Sequence, residues 1–151
     1  MMLERWGERG LAMQGFARKR KIRRVAPWLR VTPSLSTLWI ATGTALGSPA
    51  LLLGFAAISA FGASRHRHPF DHLAGRVYGV THRRKRLPDN PPPRRFAMGL
   101  AAAWAAAAAL LFARGHRTAG RTAGGLLGLA GAAVATTHFC LGSWIYRRLT
   151  A

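Results

Sequence analysis

Residues 31–63, VTPSLSTLWIATGTALGSPALLLGFAAISAFGA, decide the fold because they are 33 consecutive positions without an ionisable side chain. One membrane-spanning helix needs about 20 apolar residues, so this stretch is long for one span and short for two. In its middle, the GSP tripeptide at 47–49 supplies a helix stop, a helix cap and a first-turn proline. The pattern predicts two short helices, Pro33–Leu46 and Pro49–Gly62, that form a first transmembrane hairpin. One tilted or re-entrant span is the alternative.

Two further apolar blocks follow at 96–113 and 122–146, and each is long enough to cross a bilayer as one helix. They predict a second transmembrane hairpin over 96–146. The first block is rich in alanine, which contributes little to membrane insertion, so we expect that helix to face protein over much of its surface. In the second block, small residues recur at four-residue spacing, which lets two helix backbones approach closely in lipid. We therefore expect a helix-packing face at Gly124, Gly128 and Ala132.

The basic residues point to a membrane partner. The chain has 23 Lys and Arg against 4 Asp and Glu, and an excess this large favours either nucleic acid or an anionic membrane surface. Nine of the basic residues lie in 5–30, nine in 65–95, three in 114–121 and two at 147–148. A nucleic-acid-binding domain would interleave them with core positions, whereas here they are segregated along the chain. This distribution predicts a lipid bilayer and excludes nucleic acid as the partner.

The same distribution predicts an orientation. By the positive-inside rule, the arm 1–30, the segment 64–95 and the tail 147–151 lie in the cytoplasm, because they hold all but three of the basic residues. The sequence thus predicts an all-α, multi-pass protein of the cell (inner) membrane, with four transmembrane helices in two hairpins and both termini cytoplasmic. We expect ten basic side chains to contact anionic lipid headgroups: Arg18, Lys19, Arg20, Lys21, Arg23, Arg24, Arg83, Arg84, Lys85 and Arg86.

The segment between the hairpins divides into a helix and a linker. Pro69 begins a short helix on which Phe70, Leu73, Ala74 and Val77 share one apolar face, which predicts a helix lying on the inner leaflet. The following stretch, THRRKRLPDNPPPRR at 81–95, is too basic and proline-rich to fold alone. The first half also holds weak metal-ligand candidates, but their spacing is not a recognised one and two neighbouring arginines oppose a cation. These candidates are His66, His68 and His72, and we expect no metal or cofactor.

The N-terminal residues 1–17 have no pattern of their own. They predict a disordered N-terminal segment, within which Met13 is an alternative translation start. The basic arm resembles the positive region of a signal peptide only poorly, because it is too long and the apolar block continues after the candidate cleavage site.

Three stretches together resemble the bacterial membrane proteins grouped as domain of unknown function 4395. They are HPFDHLAGRVYG at 68–79, PPPRRFAMGLAAAW at 91–104 and FCLGSWIYRRL at 139–149. The resemblance implies an integral membrane protein with four helices, and it brings no established activity. It also places cysteines at the positions of Cys140 and Ser143, of which only the first is a cysteine here. Some members look like companions of thioredoxin-like or rhodanese-like proteins.

Cys140 is the one weak catalytic candidate. On a continuous last helix it would share a face with Ser143 and Arg147, and a nearby cation favours a thiolate. A lone cysteine is more often a small packed residue, and the hydroxyl of Ser143 would bond a carbonyl one turn back. His138 lies on the opposite side of such a helix, where it would bond a neighbouring helix. The sequence therefore favours a non-enzymatic membrane scaffold or partner-binding module, with a membrane partner or a second copy as its partner. The alternative is a membrane thiol or sulfur-relay component that acts through Cys140.

Overall fold

The computed structural model describes residues 9–16, 26–65, 67–81 and 87–150. Within these ranges the chain is all-α, as predicted. The helices are α1 (9–13), α2 (26–29), α3 (Val31–Ala45), α4 (Pro49–Ser64), α5 (Pro69–Thr81), α6 (Pro92–Ala113), α7 (Arg117–Thr137) and α8 (Leu141–Leu149).

Four of these helices form a bundle. α3 packs against α4 and α7, and α6 packs against the same two helices, so the four close into a ring in the order α3, α4, α6, α7. The two shorter helices attach to this ring, α5 against α3 and α8 against α6. Because α5 precedes α6 and α8 follows α7, both lie near the end of the bundle where α3 and α6 begin.

The turn between α3 and α4 follows directly from its sequence. The N–H of Ser48 donates to the carbonyl of Gly43 and that of Gly47 to the carbonyl of Thr44, which is the Schellman pattern of a helix end. Gly47 has φ +60°, a conformation that glycine adopts without steric cost. Ser48 then caps α4 by accepting from the N–H of Leu51. The two helices expected in 31–63 are therefore both present.

The prediction of one continuous helix over 122–146 is wrong. α7 ends at Thr137, His138 adopts the left-handed conformation with φ 60°, and α8 begins at Leu141 with its axis bent by 91° from that of α7. Cys140 is the N-cap residue of α8 and not a residue inside a helix. The cause is tertiary, since contacts from the N-terminal part of the chain hold this break, as described below.

The buried face of α6 consists mostly of small side chains. Ala102, Ala105, Ala108 and Ala109 are all buried. Large apolar side chains also point outward from each bundle helix; among the exposed ones are Leu38, Leu53, Leu110 and Leu129. Small interior residues allow the helices to approach closely, as they do in membrane proteins.

Among the described residues, one helix alone is long and apolar enough to cross a membrane. This is α6, with 22 residues. α7 and α8 reach that criterion only together, across their 91° bend, and α4 is apolar but shorter, with 16 residues.

Part of this N-terminal segment is ordered. Leu11 and Phe16 are buried and join an apolar cluster with Leu29, Ala74 and Tyr78. The prediction that residues 1–17 form a disordered segment is therefore wrong for 9–16. The apolar side chains that cause this packing lie in a stretch too short to show a helical period.

Candidate functional site

Asp71 lies at the centre of a buried polar cluster where α3, α5 and α6 begin. Its Oδ1 accepts a hydrogen bond from Oγ1 of Thr32, and its Oδ2 accepts from the backbone N–H of His68 at 3.0 Å and from Nδ2 of Asn90. Arg94 completes the group, with Nη2 at 3.8 Å from Oδ1 of Asp71. These five residues, Thr32, His68, Asp71, Asn90 and Arg94, are called the Asp71 cluster below.

The cluster keeps Asp71 ionised. Burial acts to raise the pKa of this carboxyl, but the charge of Arg94 and the hydrogen bonds from Thr32, Asn90 and His68 together outweigh it. The resulting pKa lies below the ordinary value, because each of these partners stabilises the carboxylate.

His68 is buried and neutral. Burial lowers its pKa to about 4, the charge of Asp71 opposes this shift, and the charge of Arg94 adds to it. Its Nδ1 accepts a hydrogen bond from the backbone N–H of Phe70 at 3.2 Å. In the neutral ring the proton therefore sits on Nε2.

Arg94 is a buried cation with unused hydrogen-bonding capacity. Its side chain is in the first turn of α6, the residue is 6% exposed, and its guanidinium carbon lies 5.5 Å from the centre of the Phe16 ring. The contact of Nη2 with Asp71 is longer than a hydrogen bond. Nη1 is buried and has no hydrogen-bond partner among the described residues. A buried donor left in this state costs about 1–3 kcal/mol, so Arg94 favours an added acceptor.

A cavity of about 150 Å³ extends from the Asp71 cluster into the bundle. Thr32, His68, Arg94 and Cys140 line its polar end. Its other walls are apolar and include Ile40, Phe55, Trp104 and Leu127. The arrangement is that of an amphiphilic binding site, with a cation at one end and hydrocarbon along the rest.

The break between α7 and α8 brings Cys140 to this cavity. Gln14 is buried and its Nε2 donates to the carbonyl of His138 at 2.7 Å, while Nε of Arg30 donates to Nε2 of His138 at 3.0 Å. The ordered residues 9–16 thus hold the bend from one side. Cys140, partly buried, lines the same cavity as Arg94.

α8 packs tightly on the first turns of α6. A Cβ on Gly142 would lie 2.7 Å from Cβ of Ala97, so this approach requires glycine. Ser143 is fully buried and its hydroxyl donates to the carbonyl of Pro93 at 3.1 Å. The prediction that Ser143 bonds a carbonyl one turn back in its own helix is wrong. Arg147 of α8 contacts the N-terminal residues 9–16, where it donates to the carbonyls of Ala12 and Met13.

The predicted metal candidates do not come together in the described residues. His68 is buried in the Asp71 cluster, His72 is exposed on α5, and His66 lies outside the described residues. No group of three His, Cys, Asp or Glu side chains in the described ranges could hold a metal ion.

Two of the three predicted packing residues, Gly124 and Gly128, face α3. A Cβ on Gly124 would overlap Oγ1 of Thr44, whereas one on Gly128 would lie at an ordinary 3.9 Å from Ile40. Ala132 is partly buried. α7 also approaches α3 closely at Gly131, where a Cβ would lie 2.5 Å from Oγ1 of Thr37. The ten basic residues expected at lipid headgroups, within 18–24 and 83–86, lie outside the described residues.

Arg94, Asp71 and Gln14 are the site residues that the sequence alone did not single out. A signal was present for the first two. The chain has only four acids against 23 bases, so each acid is a strong candidate partner for a buried cation. Arg94 lies two residues before the apolar block 96–113, where a cation can be buried at the start of the helix. Gln14 carried no such signal.

The comparisons with known proteins give a family and no activity. No curated protein matches the chain significantly. No solved structure does so either. The family described as Domain of unknown function (DUF4395) matches residues 26–151, which include α3 to α8 and all of the Asp71 cluster. The match covers most of the chain, and the protein therefore belongs to the DUF4395 family.

Proposed function

We propose that this protein is a multi-pass protein of the cell (inner) membrane, in which α3 and α4 form one membrane hairpin and α6 and α7 the other. The arm 1–30, the segment 64–95 and the tail 147–151 lie in the cytoplasm. The apolar length of α6 supports this placement, as does the concentration of basic residues in those three segments.

The distribution of apolar side chains supports the same proposal. Leucines on the outer faces of the bundle, such as Leu38 and Leu129, are 66% and 68% exposed. Exposed leucines around a bundle whose interior holds alanine are costly in water and favourable in lipid. The bundle is therefore suited to a hydrocarbon surrounding.

Helix lengths define how each segment sits in the bilayer. α3 and α4, with 15 and 16 residues, are roughly 23 Å long, shorter than the hydrocarbon layer of about 30 Å. The bilayer thins around this hairpin, or polar flanks reach outward from it. α6 and α7, with 22 and 21 residues, are each long enough to cross.

The two remaining helices are interfacial in this proposal. On α5, Leu73, Val77 and Val80 are exposed and follow one another at helical spacing. On α8, Leu141, Trp144 and Leu149 are exposed, and the last turn carries Arg147 and Arg148. Helices with separate apolar and basic faces lie in the plane of the membrane surface. The basic residues in 18–24 and 83–86 then contact anionic headgroups.

The function that the geometry supports best is that of a binding module or scaffold on the cytoplasmic face of the membrane. The observation that carries it is the Asp71 cluster, which ties α3, α5 and α6 together and so presents α5 in a fixed position. A preorganised surface loses little entropy when a partner binds. The partner is a second membrane protein or a second copy of this chain.

Photocrosslinking in membranes tests this function. A photoreactive amino acid at His72, which is exposed on α5 outside its apolar face, should form adducts with protein. The same amino acid at Leu38, on the outer face of α3, is the matched control and should react with lipid alone. If position 72 also yields only lipid adducts, the binding-module proposal is wrong.

A thiol function is the second candidate, favoured by the position of Cys140 in the cavity that Arg94 also lines. Its thiolate would attack a disulfide of a partner protein, form a mixed disulfide and release the partner's second sulfur as a thiolate. Because Ser143 cannot resolve this bond, the mixed disulfide should accumulate. Non-reducing gels of membranes test this: an adduct that Cys140→Ser abolishes supports a thiol function, and its absence in the native protein under mild oxidation excludes it.

A further inference from the structure

The cavity beside Arg94 combines three features that together describe its ligand. It has one buried cation whose Nη1 lacks a partner among the described residues, a volume of about 150 Å³, and walls that are apolar beyond the polar end. Each feature restricts the chemistry of what can bind.

The charge indicates a single negative charge on the ligand. Asp71 offsets part of the charge of Arg94 from 3.8 Å, but this carboxylate already accepts hydrogen bonds from Thr32, Asn90 and the backbone of His68. A monoanion supplies the missing acceptor. Any anion at this position is repelled by the carboxylate of Asp71, and at low dielectric the repulsion of a dianion is about twice that of a monoanion, so the ligand carries at most one negative charge.

The size indicates a narrow ligand. A cavity of this volume holds a group of about the size of benzene, so two acyl chains do not fit. Part of a single alkyl chain does, along the side chains of Ile40, Phe55 and Trp104.

The entrance indicates where the ligand comes from. Leu100 and Leu141 line the cavity and are also exposed, at 37% and 45%, so they mark an apolar mouth between α6 and the start of α8. An apolar mouth on a membrane-embedded bundle opens to lipid, which admits an amphiphile and leaves its remaining chain in the bilayer.

We propose that this cavity binds a single-chain carboxylate, with the carboxylate on the guanidinium of Arg94, which lines the cavity, and the alkyl chain along the apolar walls. The proposal rests on the function proposed above, since it gives the ligand of that membrane binding module. Cys140 and Thr32 flank the headgroup position, and α8 covers it.

Tryptophan quenching by a brominated ligand tests this on the purified full chain in a neutral-headgroup detergent. Trp104 lines the cavity, and a bromine on the alkyl chain of bromodecanoate quenches a tryptophan that it touches. Saturable quenching that Trp104→Phe removes is expected. Bromodecanol, which has the same chain without the charge, should bind about tenfold more weakly, because its neutral hydroxyl cannot form an ion pair with the guanidinium.

Two matched pairs of variants locate the two ends of the ligand. Arg94→Gln should weaken bromodecanoate binding by about tenfold, Arg94→Lys should restore part of the loss, and Arg95→Gln should bind like the native protein, because Arg95 donates to carbonyls of Ala63 and Ser64 instead. If Arg94→Gln does not fold, a second pair decides. Ala101→Leu, which fills the cavity, should block binding, and Ala103→Leu, on the exposed side of α6, should not.

Three results would overturn the proposal. They are equal binding of bromodecanol and bromodecanoate, native binding by Ala101→Leu, and tighter binding of bromodecyl phosphate than of bromodecanoate, which would assign a phosphate headgroup. None of these depends on photocrosslinking at α5. A negative result for carboxylate binding can therefore be distinguished from a negative result for the binding-module function.

Discussion

Nη2 of Arg94 lies 3.8 Å from Oδ1 of Asp71, and this contact joins the first turn of α6 to the first turn of α5. Both side chains are largely buried, with 7% and 13% of their surface exposed. The pair thus positions α5 against the helix bundle, and it places the cation at the end of the cavity.

Removing the charge of Asp71 should destabilise the protein strongly. In Asp71→Asn the buried guanidinium of Arg94 loses its counter-charge, and we expect a loss of about 3 kcal/mol in the free energy of unfolding. Asp89→Asn is the matched control, because the pair of Asp89 with Arg67 is exposed, and its change should stay within about 0.5 kcal/mol. Denaturant unfolding in detergent, followed by circular dichroism, measures both. Equal losses would show that the Asp71 cluster is not a stabilising unit.

Acid should destabilise the fold through His68. Its pKa is about 4 in the folded protein and 6.5 as its ordinary value, so the unfolded chain takes up a proton between these values that the folded protein does not. The stabilising contribution is complete above pH 6.5 and falls as the pH drops toward 4. Through His68 alone, lowering the pH from 7 to 5 should cost about 2 kcal/mol, and Asp71, whose pKa is also lowered, adds a loss at more acidic pH.

The variant His68→Gln isolates this effect. Its unfolding free energy should vary less between pH 7 and pH 5 than that of the native protein, whereas His72→Gln, on the exposed face of α5, should leave the native dependence in place. A native pH dependence in His68→Gln would assign the acid sensitivity to other groups.

Two adjacent glycines of α7 should respond oppositely to alanine. A Cβ on Gly124 would overlap Thr44, so Gly124→Ala should cost about 1–3 kcal/mol through overpacking against α3. A Cβ on Gly125 meets nothing within 4 Å, so Gly125→Ala should be neutral or stabilise by up to about 1 kcal/mol. Thermal unfolding of the two variants in detergent provides the comparison. A tolerated Gly124→Ala would mean that α3 and α7 are not held at this distance.

The sequence predicts local structure well where the chain itself encodes it. Gly47, Ser48 and Pro49 define a turn through their own backbone and side-chain preferences, so the α3–α4 hairpin follows from them. The break at His138 does not follow, because residues 138–140 include no glycine or proline. It depends on Gln14 and Arg30, which are 124 and 108 positions away in the chain.

The candidate site was predictable only in part for the same reason. Cys140 stands out in the sequence as the single cysteine. The residues that surround it in the fold cannot be identified from the sequence. Arg94 reads as one of many basic residues that flank an apolar block, and only its packing against Phe16 and Asp71 makes it a buried cation. Burial of a charge depends on the helices that surround it, and a single segment does not encode that.

A measurement of membrane topology is the most direct test of the proposed two-hairpin arrangement. Reporters that distinguish the cytoplasm from the exterior can be fused after Ser48, in the α3–α4 turn, after Asn90, before α6, and after His116, in the α6–α7 turn. The two hairpins predict external signals at Ser48 and His116 and a cytoplasmic signal at Asn90. A cytoplasmic signal at Ser48 would contradict the two-hairpin arrangement, because α3 and α4 would then not cross the membrane as a hairpin.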